Sequence, residues 1–264
     1  MVATGKYQLK DGRTVALRRA GPQDEPAIVA LFTELSPESF RDRFHSGWVG
    51  PALISRLARV GPPTGTVCVV AAAPEDPDRL VAEARYVPMG TGLAELGITV
   101  LDDYQGTGLG KLLLGMLVQR AGESGLSRLR AVVSLTNTAM LRLLETYGWT
   151  LAEPTDFSVA YLEISATGGM PGWSARGTGR RVLVEQRSWF DNERVAALRA
   201  AGNDVRICAG PRARTGRACP LVTSGRCRLA EQADLIVTAL PADQEDCAHV
   251  LDAHRQRWPD RLVG

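Results

Sequence analysis

The sequence predicts a mixed α/β fold in its first part, followed by a second, smaller parallel α/β domain with three layers. Strand-like and helical runs alternate along the chain, and a glycine-rich turn at residues 105–110 joins a strand to a helix. A stretch rich in glycine and serine, residues 165–179, then interrupts the pattern. We therefore expect domains at residues 1–164 and 180–264, with residues 165–179 as a linker.

The first domain should contain an early helix, because apolar residues from Ile28 to Leu35 recur every three or four positions. Asp24 is expected to cap this helix. Composition predicts turns at residues 74–78 and 88–90. We expect strands at residues 13–19, 66–73, 80–87, 93–101, 129–134, 149–152 and 158–164, and helices from residue 24 and at residues 38–44, 51–60, 109–121 and 138–147.

The second domain alternates strands and helices, which predicts a small parallel sheet. Gly148 is expected to end the last helix of the first domain. In the second domain we expect strands at residues 181–186, 204–208 and 235–240, helices at residues 192–201 and 245–256, and a loop at residues 209–229.

The composition of the chain argues against nucleic acid binding, a membrane span and secretion. The chain has 264 residues, is 45% apolar and carries a net charge of only +2, so we expect no nucleic acid partner. No run reaches membrane-spanning length, and the first residues lack the apolar core of a signal peptide. We therefore expect no membrane association. The five cysteines are odd in number and show no disulfide-framework spacing, which favours a reduced, cytoplasmic protein.

The turn at residues 105–110 is the most informative motif. Gly106, Gly108 and Gly110 let the backbone turn tightly and approach a ligand. The helix that follows directs its first amide groups back into the turn, where they can bind a phosphate. The spacing excludes a dinucleotide fingerprint and a P-loop. A strand-to-helix turn alone would need fewer glycines, so phosphate binding is favoured.

This motif resembles the acyl-CoA loop of the GNAT superfamily of N-acetyltransferases, Gln/Arg-x-x-Gly-x-Gly/Ala. Asn137 and the pair Gly148-Trp149 match that family in identity and order, and the resemblance covers residues 11–164. It implies a GNAT-type α+β mixed sheet and acetyl-CoA as the co-substrate. The residues that it implies for acyl-CoA binding are Ile98, Val100, Gln105, Gly106, Thr107, Gly108, Leu109, Gly110 and Asn137.

A narrower resemblance is to the bacterial Pat-type protein lysine acetyltransferases. Asp11-Gly12, residues 35–39, Arg43-Phe44 and residues 102–106 carry it. In that family a glutamate ten positions before the loop glutamine is the general base, and Glu95 has this spacing.

Two positions depart from the family patterns. Thr107 stands where the Pat-type loop usually has an arginine, which removes one possible phosphate partner. Leu144 stands where many other GNAT enzymes have a tyrosine that acts as an acid. Tyr147 lies a helical turn away, and we do not assign it that role.

Two of the candidate residues also have purely structural interpretations. Glu95 lies in an otherwise apolar strand, on the same face as Gly97 and Thr99, so we expect a partly desolvated carboxylate. It could instead be a solvated or ion-paired strand residue. Asn137 could cap the helix at residues 138–147, contact coenzyme A, or do both.

The second domain carries weaker signals, and we expect no metal site because it has no Cys-x-x-Cys motif. Cys208 and Cys247 are expected to be buried as small hydrophobic residues, whereas Cys219 and Cys227 lie in a loop and could pair or sense redox. A basic loop is either solvated or an anion site through which this domain regulates the enzyme or recruits its target. The loop's basic residues are Arg212, Arg214, Arg217, Arg226 and Arg228.

The leading functional hypothesis is an acetyl-CoA-dependent acetyltransferase that acts on protein lysine side chains by direct transfer, with Glu95 as general base. One alternative is a GNAT enzyme that acetylates a small amine. The other is a non-catalytic acyl-CoA sensor, which would bind coenzyme A without turnover.

Overall fold

The computed structural model describes residues 5–61, 64–73, 75–90, 92–147, 149–151, 158–168, 173, 179–186, 192–211 and 219–264. The chain divides into two compact units, Met1–Ala131 and Val132–Gly264.

The first unit holds a sheet with helices on both of its faces. Its elements in chain order are β1 (Gly5–Gln8), β2 (Thr14–Arg19), α1 (Glu25–Thr33), α2 (Pro37–Phe44), α3 (Pro51–Ala58), β3 (Val67–Ala73), β4 (Asp76–Gly90), β5 (Leu93–Val100), α4 (Leu109–Glu123) and the first part of β6 (Arg128–Ser134).

The strands of the first unit lie in the order β1-β2-β3-β4-β5-β6. Neighbours from β1 to β5 are antiparallel, whereas β5 and β6 are parallel. Among the described residues the β5–β6 register runs from Leu93 opposite Arg128 to Glu95 opposite Arg130 and goes no further. The later part of β5 therefore has an open edge.

Consecutive residues of β4 show how the helices cover the sheet. The guanidinium of Arg85 lies 5.5 Å from the ring centre of Phe32 in α1. The hydroxyl of Tyr86 lies 3.1 Å from Ser124 Oγ at the end of α4. Because neighbouring strand residues point to opposite faces, α1 and α4 cover opposite sides of the sheet.

The second unit is a smaller sheet with its own helices. Besides the end of β6, its elements are α5 (Thr138–Glu145), β7 (Trp149–Leu151), β8 (Val159–Ser165), β9 (Arg181–Gln186), α6 (Asn192–Ala200), β10 (Asp204–Cys208), α7 (Pro220–Ser224), α8 (Arg228–Gln232), β11 (Leu235–Ala239), α9 (Glu245–Arg257) and β12 (Leu262–Val263).

In this unit the strands follow the order β8-β7-β10-β9-β11-β12, in which β9 to β12 are parallel and β7 is antiparallel to both neighbours. Trp173, Leu183, Leu229 and Ile236 form one buried cluster. The indole nitrogen of Trp173 donates to the Leu229 carbonyl at 2.9 Å, so this residue of the expected linker is anchored in the second core.

The predicted fold class is confirmed: the first part is a mixed α/β sheet and the second contains a parallel sheet. The expected turn at residues 88–90 is wrong, because Pro88 and Gly90 continue β4 opposite Ala94 and Leu93. The expected turn at residues 74–78 is wrong from Asp76 onward, since β4 begins there.

Short elements account for the other differences. β1 and β12 were not expected, since four and two residues are too few to show a period. The expected loop at residues 209–229 contains α7 and the start of α8. Residues 212–218, with Arg212, Arg214 and Arg217, lie outside the described residues, as does Gly148.

The predicted division at residues 1–164, 165–179 and 180–264 stays a prediction. The two compact units count β7 and β8 with the second sheet, because Leu151 in β7 pairs with Ile207 in β10. Among the described helices, none is both long and apolar enough to cross a bilayer.

Candidate active site

The glycine loop lies between the end of β5 and the start of α4. Gly106 and Gly108 have φ of 73° and 91°, which side-chain-bearing residues rarely adopt. Gly108 is the N-cap of α4 and offers no capping side chain. The first amides of α4, at Leu109, Gly110 and Lys111, therefore remain as donors for an anion.

The start of the loop is fastened to α2. Gln105 Nε2 donates to Ser39 Oγ at 3.0 Å and to the Val100 carbonyl at 3.3 Å. Asp102 accepts hydrogen bonds from the Ser36 amide and from the Ser36 and Ser39 hydroxyls, at 3.2, 2.7 and 2.8 Å. Burial opposes ionisation of Asp102, but these hydrogen bonds outweigh it and lower its pKa. Asp102 thus joins the loop to α2.

Thr107 turns its side chain into the protein. It is buried, and its hydroxyl donates to the Tyr104 carbonyl at 2.6 Å. Leu109 is fully buried as well. Among the predicted loop residues, Thr107, Leu109 and the glycines can meet a phosphate only through their backbone.

Glu95 lies near the start of β5, opposite Val87 of β4 and beside Arg130 of β6. Its side chain is exposed. The expectation of a partly desolvated carboxylate is therefore wrong. The apolar neighbours that suggested desolvation point to the other face of the strand. On its own face Glu95 lies beside Val87, which is also exposed, whereas Thr99 further along β5 is buried.

Ile98 and Val100 belong to the open edge of β5. The Leu101 amide donates to the Val81 carbonyl of β4. Because successive amides of a strand point in opposite directions, the Thr99 amide also faces β4, whereas the amides of the residues between and before them face the other way. Those of Ile98 and Val100 point away from β4, towards the side on which the β6 register has ended. They are positioned to donate to a ligand.

Asn137 lies in the second unit at the N-cap of α5. Its Oδ1 accepts from the Met140 amide at 2.8 Å, which confirms the capping interpretation. Contact with coenzyme A stays a prediction. Leu144 is fully buried, and burial raises the pKa of the half-buried Tyr147 phenol.

A buried charge cluster lies on the Glu95 face of the sheet and was not expected from the sequence. Glu83 of β4 lies between Arg85 Nε at 2.7 Å, Arg43 Nη2 at 3.4 Å and Thr99 Oγ1 at 3.0 Å. Burial raises the pKa of Glu83, but the two guanidinium groups more than offset this and lower it. The signal was available: Glu83 and Arg85 alternate within the apolar run of β4.

Arg43 links this cluster to β5. Its Nε donates to Thr99 Oγ1 at 2.9 Å. A Cβ at Gly97 would lie 2.8 Å from Arg43 Nη2, so another residue at this position would require the end of the Arg43 side chain to shift. Gly97 is two residues from Glu95, so Arg43 packs against the strand that carries the candidate base.

In the second unit a cavity of about 20 Å³ is lined by Glu185, His254 and the thiols of Cys208, Cys219 and Cys227, together with Gly210, Pro220 and Leu221. His254 Nε2 lies 3.0 Å from Glu185 Oε1. Burial raises the pKa of Cys219 to about 11 and that of Cys227 to about 12. Protonated thiols are poor nucleophiles, which weighs against the redox-pair alternative. The described residues include no group of three or more His, Cys, Asp or Glu side chains suited to a metal ion.

Comparisons with known proteins identify the family of this chain. The model of the acetyltransferase (GNAT) family matches residues 29–149. Acetyltransferase Pat of Mycolicibacterium smegmatis is 33% identical over 144 residues, 53% of this chain and 43% of that protein. Acetyltransferase PA5475 of Pseudomonas aeruginosa is 31% identical over 145 residues, 53% of this chain and 77% of that protein.

A solved structure supports the fold. The crystal structure of the GNAT domain of S. lividans PAT has a TM-score of 0.53 and 24% identity, and the match covers 61% of this chain and 96% of that domain. The mixed sheet, and the glycine loop that joins its strand β5 to helix α4, agree with the GNAT class of fold. The chain belongs to the GNAT acetyltransferase family and is related to Pat, of which it spans less than half the length.

Proposed function

We propose that this chain is an acetyl-CoA-dependent N-acetyltransferase that transfers the acetyl group directly to lysine side chains of proteins, with Glu95 as general base. One observation carries the proposal. Glu95 is exposed on the strand that leads into the glycine loop, at the residue where the register between β5 and β6 ends. A thioester bound along that open edge would lie beside a carboxylate.

A general base is needed because the lysine amine of the acceptor is protonated at neutral pH. A lysine amine has a pKa of about 10.4, so roughly one molecule in 2,500 is neutral at pH 7. Finding the neutral form costs about 4.6 kcal/mol. Glu95 would accept the proton, directly or through a water molecule, and so recover part of that cost.

Acetyl transfer then requires one backbone hydrogen-bond donor and no dedicated general acid. The neutral amine nitrogen attacks the thioester carbonyl carbon, and the oxygen that gains charge is stabilised by a backbone amide of Ile98 or Val100. The carbon–sulfur bond breaks and the electron pair leaves on sulfur, while the nitrogen releases its second proton, which neutralises the thiolate to give the amide and the free thiol of coenzyme A. Because a thiol pKa is about 8.5, the thiolate departs without a dedicated acid, which agrees with the apolar Leu144.

The surroundings of Glu95 favour a protein acceptor. Val87, its cross-strand neighbour, is 38% exposed, and Met89 further along β4 is 50% exposed. Exposed apolar side chains around a reactive group suit contact with another macromolecule. An exposed base is also within reach of a lysine on a folded protein surface.

The test is acetyl-CoA turnover with a panel of protein and free-amine acceptors, with acetylated sites read by mass spectrometry. Glu95→Gln should lower kcat about 100-fold and leave the Kd for acetyl-CoA unchanged, since a positioned base contributes about 10²- to 10⁴-fold. Glu245→Gln, an exposed change at the start of α9, is the matched control and should keep full activity.

Each contrary outcome has a distinct meaning. Transfer to free amines with no modified protein lysine would replace the protein acceptor with a small amine. Binding of acetyl-CoA with no turnover on any acceptor would favour a sensor. A Glu95→Gln variant as active as wild type would remove Glu95 from the reaction.

A further inference from the structure

Lys10 lies across the glycine loop. Its backbone amide donates to the Thr107 carbonyl at 3.0 Å. Its Cε, Cγ and Cδ atoms lie 3.4, 3.6 and 3.7 Å from the position that a Cβ at Gly108 would occupy. The Lys10 side chain therefore runs over the residue that caps α4.

The turn between β1 and β2 holds Lys10 in this place. Leu9 is buried, and its amide donates to the Arg13 carbonyl at 2.7 Å. The Gly12 amide donates back to the Leu9 carbonyl at 3.0 Å, with Gly12 in the left-handed region at φ 87°. Lys10 thus reaches the loop from a tight hairpin rather than from a long flexible segment.

Residues 105–110 include no cationic side chain, and the first one after them is the exposed Lys111 in the first turn of α4. The resemblance to Pat-type enzymes implies an arginine at the position of Thr107, yet the Thr107 hydroxyl is bonded inward to Tyr104. The backbone amides at the start of α4 are neutral donors. A diphosphate bound there would gain from a full positive charge.

The neighbouring arginine is already engaged. Arg13 Nη2 lies 2.7 Å from Asp11 Oδ2, and the guanidinium lies 4.0 Å from the ring centre of Tyr104. By contrast, no carboxylate in the described part of the chain forms an ion pair with Lys10, whose side chain is exposed. The Lys10 ammonium is therefore available to an anion at the loop.

We propose that Lys10 binds the diphosphate of acetyl-CoA and supplies the positive charge that the loop lacks at Thr107. This inference rests on the proposed function, because it needs acetyl-CoA in the loop. It adds a cofactor-binding residue that lies almost a hundred positions before the glycine motif, on a different hairpin.

The experiment is calorimetric titration of the full chain with acetyl-CoA. Lys10→Met should raise Kd about tenfold at low salt, Lys10→Arg should stay near wild type, and the gap should narrow as salt screens the charge. Lys6→Met, at an exposed position of β1, is the matched control and should bind as wild type does. Because Lys10 is exposed, all variants should melt at the wild-type temperature.

A second ligand identifies the phosphate. The 3′-dephospho form of acetyl-CoA keeps the diphosphate, so Lys10→Met should weaken both ligands by the same factor. A loss confined to acetyl-CoA would overturn the diphosphate assignment. If wild type fails to bind acetyl-CoA, the proposed function fails; if wild type binds and Lys10→Met binds within twofold, only the role of Lys10 is overturned.

Discussion

Glu83 has no exposed surface, yet it is a carboxylate in the middle of a sheet face. It is tolerated because Arg43, Arg85 and Thr99 all reach it. A buried charge that keeps its partners is close to neutral for stability, whereas removing one member of such a cluster is costly. The cluster lies along the face that carries Glu95, so its integrity matters for the site.

We expect Glu83→Gln to lower the free energy of unfolding by about 3–5 kcal/mol, because both guanidinium groups lose the charge that compensates them. Chemical denaturation of the variant measures the change. Glu245→Gln, which removes an exposed charge at the start of α9, should lose less than about 1 kcal/mol. A loss below about 1 kcal/mol would mean that the arginines are solvated in solution.

Asp24 was expected to cap α1, but it makes no side-chain cap hydrogen bond. Its carboxylate accepts from Arg18 at 2.6 and 2.8 Å and from the Gly21 amide at 2.8 Å. The hydrogen bonds from Arg18 outweigh burial and hold the pKa of Asp24 below its usual value. The Asp24 carboxylate is therefore bound to Arg18 and does not cap the amides of α1.

This pair makes stability depend on pH. Because the pKa of Asp24 is lower in the folded state, the pair stabilises the fold above the unfolded pKa of about 3.9 and is lost as pH falls below it. Asp24→Asn should therefore cost about 1.5–3 kcal/mol at pH 7 and progressively less below pH 4. Thermal melts of both proteins across that range test this, and a pH-independent difference would contradict it.

At the scale of elements, the periodicity of apolar residues predicted the long helices and strands well. α4 matches its apolar stripe, and β5 matches its apolar run, since many side chains report the same period. The loop was found because positive φ at Gly106 and Gly108 demands glycine. Contacts between distant segments, such as Arg43 with Glu83 or Lys10 with the loop, have no local signal and were missed.

α5 allows capping to be separated from cofactor binding. Asn137→Ser keeps an oxygen at the N-cap and should change the free energy of unfolding by less than about 0.5 kcal/mol, whereas Asn137→Ala should cost about 1 kcal/mol. If Asn137 also contacts coenzyme A, both variants should raise the Kd for acetyl-CoA. Unchanged Kd in both would leave Asn137 as a helix cap alone.

At the scale of the whole molecule, the predicted boundary after residue 164 is crossed by a buried ion pair. Arg206 Nη1 in β10 lies 2.6 Å from Glu163 Oε2 in β8, and both side chains are buried. The part that sequence composition separates as a second domain therefore shares a core with β8. This agrees with the compact unit that begins at Val132.

We expect Arg206→Met to lower the free energy of unfolding by about 3–5 kcal/mol, because the charge that compensates Glu163 is removed. The double change Glu163→Leu with Arg206→Met should recover most of that loss, since neither charge remains. Urea denaturation of the three proteins measures both effects. A double variant as unstable as the single one would show that packing, and not charge, sets the cost.

The early end of the β5–β6 register gives one more consequence. The Ile98 and Val100 amides belong to a central strand, where protons usually resist replacement by deuterium, yet they face a side without a partner strand in the described structure. In the free protein they should exchange as rapidly as loop amides. Binding of acetyl-CoA along this open edge should slow their exchange sharply. The Thr99 amide, which is directed towards β4, should exchange at the same slow rate with and without acetyl-CoA.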